Sequence, residues 1–103
     1  MKYYRNTTEI IEANKEAGQF FFSKNTMRFF KSHVLYGVYG GKYFLTSEKK
    51  CFNDYTRVYS VQMINEDCSI DNIFKSESLY QARKEAKRLG NLSDMEGVKW
   101  NNF

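Results

Sequence analysis

His33 is the single histidine of the chain and the one side chain suited to acid–base work near neutral pH. Catalysis by it would need a nucleophile within hydrogen-bond reach and a carboxylate to orient the ring. Local sequence places no such pair around it, so an exposed histidine at the end of a basic helix is the expected role. One histidine and two scattered cysteines, Cys51 and Cys68, cannot supply the four ligands of a closed zinc site. Glu66, Asp67 and Asp71 lack the spacing of a calcium loop. Gly37, Gly40 and Gly41 precede a strand with no Lys-Ser or Lys-Thr after them, which is hairpin chemistry and not a phosphate cradle. No enzymatic activity, metal or cofactor is therefore expected.

Binding is the chemistry that remains. At about 100° per residue, Tyr80, Arg83, Lys84 and Lys87 fall in one sector of a helix, beside its apolar stripe. Arg28, Lys31 and His33 form a second basic group, and Trp100, with the tail that carries it, either folds back to cover the sheet or lies ready for a partner. The formal charge of +4 and a pI near 9.1 favour anionic partners mildly. There is no dense basic block, and a strongly acidic DNA mimic is excluded. A solvated helix face is the plain alternative for the basic flank.

The elements that must position these residues follow from caps and periodicity. Asn6-Thr7-Thr8-Glu9 reads as a capping box opening a helix that Gly18 stops. Phe20, Phe21 and Phe22 are too apolar for a solvated loop and must feed a core. A short helix is expected over Lys24–Val34, held down by Met27, Phe30 and Val34. Gly40-Gly41 suggests a two-residue hairpin leading into a strand over Lys42–Glu48. Thr56–Asn65 alternates, with Tyr59, Val61 and Met63 on one face and Val58, Ser60, Gln62 and Ile64 on the other. Asn65-Glu66-Asp67 is turn chemistry, and Ser69–Phe74 returns as a shorter strand. Ser78 and Gln81 then open the most regular helix, with Leu79, Ala82, Ala86 and Leu89 as its stripe and Gly90 as its stop.

The expected fold is α+β, in one domain over residues 1–103. It comprises an antiparallel sheet of about three to four strands with helices packed on one face, in the order α, short α, β-hairpin, β, β, α. Residues 1–5 are an N-terminal arm, 6–90 the core and 91–103 a C-terminal tail carrying Trp100 and Phe103. A 17% aromatic content lets so short a chain bury apolar area efficiently. No signal-like or membrane-spanning run is present, and two free thiols suit a cytoplasmic protein with no membrane partner.

The run FFFSKNTMRFFKS followed by VYGGKYFLTSE resembles a family of short proteins from bacteriophages and other mobile elements. Phe21, Phe22, Ser23, Met27, Arg28, Phe29, Phe30, Ser32 and Val34 carry the first half of the pattern. Tyr39, Gly40, Gly41, Phe44, Thr46, Ser47 and Glu48 carry the second, and His33 departs from it where Arg is usual. The resemblance implies phage-like origin and no activity. Accessory proteins of that kind commonly occupy a host protein or complex, as inhibitors of host defence for example. Helix, three strands and helix with a basic final helix is also similar in outline to double-stranded RNA-binding domains, although their Gly-Pro-x-His loop is absent. Two partner classes are thus expected, a host protein surface first and nucleic acid second.

Overall fold

The computed structural model describes residues 3–22, 33–49 and 56–101, with side chains as far as Ser93. Helix α1 (Thr7–Glu16) is followed by strands β1 (His33–Val34), β2 (Tyr43–Lys49), β3 (Arg57–Ile64) and β4 (Ile70–Ser76), then by helix α2 (Leu79–Asn101). The strands form one antiparallel meander in the order β1-β2-β3-β4, so the fold is α+β. Alternation sets the register. Tyr43 faces Met63 and Leu45 faces Val61 on one side, while Phe44 faces Gln62 and Thr46 faces Ser60 on the other. Along β4 the register slips: Phe74 opposes Val61 but Asn72 opposes Gln62, which leaves Ile73 as the extra residue of a bulge. A bulged outer strand is a poor template for edge-to-edge pairing.

Residues Tyr43 to Ser47 of β2 are buried on both faces, so cover is needed on each. Helix α2 supplies it on one side, where Ala82 and Ala86 pack on Tyr43, Leu45 and Val61 with Leu35, Phe74 and Leu89 around them. On the other side Tyr4 and Ile10 meet Phe44 and Ile64, flanked by Phe21, Phe22, Val34 and Val38. The two helices therefore lie against opposite faces rather than sharing one. Tyr4, 5% exposed, is core and not a loose arm; its N–H donates to the Gly41 carbonyl at 2.8 Å.

Local chemistry explains where α1 starts and stops. Asn6 Oδ1 accepts the Glu9 N–H at 3.0 Å, as a cap should. The Glu9 carboxylate reaches back one residue further than a capping box would, to the N–H and Nε of Arg5. At the far end Gly18 N–H donates to Lys15 and Gln19 N–H to Asn14, the double closure of a Schellman motif. Asn14 is fully buried. Its Nδ2 donates to the Cys68 carbonyl at 2.8 Å, and its Oδ1 accepts the Phe21 N–H at 3.0 Å. One side chain thereby ties α1 to the chain that follows it and to the β3–β4 turn.

Three further expectations need correction. First, the short helix expected over Lys24–Val34 falls mostly outside the described residues, but its last two positions are strand β1. Val34 pairs with Thr46 and the Leu35 N–H donates to the Leu45 carbonyl, which satisfies the outer backbone of a buried strand. Second, the hairpin closes through a bridge between Tyr39 and Tyr43, so its loop is Gly40-Gly41-Lys42, one residue longer than expected. Gly40 (φ 59°) and Gly41 (φ 74°) both occupy the left-handed region that this tight reversal requires. Third, Gly90 does not end α2, which runs on to Asn101. A Cβ on Gly90 would lie 2.9 Å from the Gly40 nitrogen, and one on Gly40 would lie 2.6 Å from the Gly90 Cα. The glycine is there for helix-to-turn contact, which propensity cannot reveal.

Candidate docking surface on the last helix

Ser78 opens α2 by accepting the Gln81 N–H on its Oγ at 3.3 Å, while its own N–H donates to Ser76 Oγ. The stripe of Ala82 and Ala86, both at 0% exposure, then fixes the rotation of the helix on the sheet. Further along, Gly90 seats it against the Tyr39–Lys42 turn, and Ser93 Oγ donates to the Gly40 carbonyl at 3.3 Å. On the other side of that turn, a Cβ on Gly41 would collide with the Tyr3 ring. Helix and sheet are thus joined at both ends of their contact.

That rotation turns Tyr80, Arg83, Lys84 and Lys87 outward together, all exposed, with Tyr80 at 70%. None of the three cations pairs with a carboxylate among the described residues. The acid within their span, Glu85, is engaged by Arg88 through both carboxylate oxygens. This bond holds the Glu85 carboxyl below its ordinary pKa and raises that of Arg88. The pair is exposed and contributes little to stability, yet it leaves Arg83, Lys84 and Lys87 uncompensated.

The other expected site residues do not join this face. His33 is exposed, in edge strand β1 opposite Ser47, and the basic helix expected to end at it lies, but for His33 and Val34, outside the described residues. Arg28 and Lys31 lie outside the described residues. Trp100 falls within α2, which the sequence had been expected to end at Gly90, and its side chain is likewise outside the described part. Among the described residues no group of three or more His, Cys, Asp or Glu could hold a metal ion, and no helix is long and apolar enough to cross a membrane.

Several residues with structural or surface roles were missed by sequence reasoning. Asn14, in the middle of α1, is a buried clamp that nothing in its sequence neighbours marks. Phe20 was assigned to the core with its two neighbours, but only Phe21 and Phe22 go there; Phe20 sits at φ 59° with its side chain 69% exposed. Tyr36, at 97% exposure, carried no signal at all. Burial of Phe21 and Phe22 against Phe44 uses edge-on and tilted ring contacts, with centroids 6.5 and 6.0 Å away.

Fold and surface together define a small α+β domain with a rigidly seated, basic terminal helix. Residues 6–88 match the model of a family of unknown function, DUF7447, and the chain belongs to that family. No curated protein and no solved structure matches it. The matched span reaches just past Lys87 and so includes the whole basic flank.

Proposed function

We propose that this is a non-enzymatic binding protein of phage or mobile-element origin, acting in the cytoplasm of a bacterial host by occupying the surface of a host protein or complex. Inhibition of a host defence is a natural task for it. The observation that carries this reading is the outward face of α2, where Tyr80 and Arg83, residue types enriched among binding hot spots, stand exposed beside Lys84 and Lys87. Their helix is held by the Gly40–Gly90 approach, so the face is preorganised and loses little freedom on docking. Nucleic acid is the second reading, supported by the three cations that no described carboxylate neutralises. A pull-down from bacterial lysate with tagged protein, with and without nuclease, distinguishes the two. Retention of a specific protein in both samples supports the first reading, and its loss with nuclease supports the second.

A further inference from the structure

We infer that the outward face of α2 docks onto a carboxylate-rich patch of a partner protein that also offers Tyr80 an apolar slot. The inference rests on the protein-binding reading above and adds the chemistry of the partner. The face runs from Tyr80 to Lys87, about 10 Å along the helix axis. Within it the charges are all of one sign, because Glu85 is turned to Arg88 on a different flank. Three other described cations are engaged elsewhere, Arg5 with Glu9, Arg57 with the Ser47 hydroxyl and carbonyl, and Lys42 over the Tyr43 ring at 5.3 Å, while Lys15 and Lys75 stand apart on α1 and β4. Arg83, Lys84 and Lys87 thus cluster three unpaired positive charges on one face of a single helix, and the complement of that cluster is a set of carboxylates spaced about one helical turn apart, about 5–6 Å.

Two features favour an acidic protein over a nucleic acid. Three cations reach at most three duplex phosphates, a salt slope of about −2.7, so a fourfold rise in salt would weaken such binding about 40-fold. An exposed tyrosine at one end of the cluster is the type of anchor that fills a pocket on a protein. On a duplex exterior it would meet phosphate and sugar.

The test uses the full chain and two fluorescent probes in anisotropy titrations at physiological salt. One is a 16-residue helical peptide with glutamates at i, i+3 and i+4 spacing around two leucines, and the other is a 20-base-pair DNA duplex. The peptide is expected to bind saturably. Arg83→Gln/Lys84→Gln/Lys87→Gln should weaken it at least tenfold and Tyr80→Ala several-fold, with both variants folded by circular dichroism. Saturable duplex binding with a salt slope near three would overturn the inference. Peptide binding that is absent, or indifferent to the triple change, would do the same. A lysate pull-down with the wild type separates the two levels: a retained host protein leaves the binding role standing even where the acidic-patch inference fails.

Discussion

Gly90→Ala sets helix propensity against packing, and the structure decides which wins. Inside an exposed helix, replacing Gly by Ala stabilises by about 1 kcal/mol. Position 90 is buried, and the new methyl would lie 2.9 Å from the Gly40 nitrogen, the Tyr39 carbonyl carbon and the Tyr39 Cβ. Two of those atoms are backbone, so relief requires the helix to lift from the turn. Such overpacking costs about 1–3 kcal/mol, and lifting also loses the Ser93–Gly40 hydrogen bond, about 1 kcal/mol more. The net expectation is a loss of about 1–3 kcal/mol. Gly40→Ala should cost more, because the left-handed φ of 59° adds strain to a contact at 2.6 Å. Asn91→Ala, one residue along on the exposed side, is the control and should stabilise by a few tenths of a kcal/mol. Urea unfolding of the three variants measures this directly. A Gly90→Ala protein more stable than wild type would refute the close approach of helix and turn.

Other expectations follow from the same interior. Phe44→Ala removes a fully buried ring from between the sheet and the Phe21–Phe22 pair and should cost about 3–5 kcal/mol by chemical denaturation. Asn14→Ala strands the Cys68 carbonyl and the Phe21 N–H together and should cost about 2–5 kcal/mol in the same assay. Phe20→Asn should raise the melting temperature by an amount equivalent to up to about 1 kcal/mol, since asparagine tolerates the left-handed backbone and the lost ring is mostly exposed. Burial, then the neighbouring Cys68 thiol, holds the Tyr4 phenol above its ordinary pKa. With the folded value the higher, its contribution is intact below an unfolded value of about 10 and is lost as pH rises through the folded one. Stability measured from neutral to alkaline pH should fall less steeply for Tyr4→Phe than for wild type.

Much of the architecture was legible because it rests on local periodicity. The alternating faces of β3, the Asn6 and Ser78 caps and the Gly18 stop are all short-range signals, and each is found where its residues stand. What sequence could not show depends on residues far apart in the chain. Gly90 reads as a helix end until Gly40, fifty positions earlier, is brought against it. His33–Val34 reads as helical until β2 needs an outer partner. Asn14 shows no role as a clamp until the Cys68 carbonyl, fifty-four positions on, arrives to be satisfied. The candidate face was legible for a related reason: Tyr80, Arg83, Lys84 and Lys87 are set by the periodicity of a single helix and need no tertiary knowledge to be grouped. The exposure of His33 was legible too, but its pairing with Ser47 depends on a strand ten and more positions away.

Docking through the outward face of α2 is decided by side-by-side pull-downs from nuclease-treated bacterial lysate, using tagged wild type and the Arg83→Gln/Lys84→Gln/Lys87→Gln variant. The wild type is expected to retain a host protein, and the variant, equally folded, to lose it. Retention that is equal in both, or no protein retained by the wild type, would contradict docking through the outward face of α2.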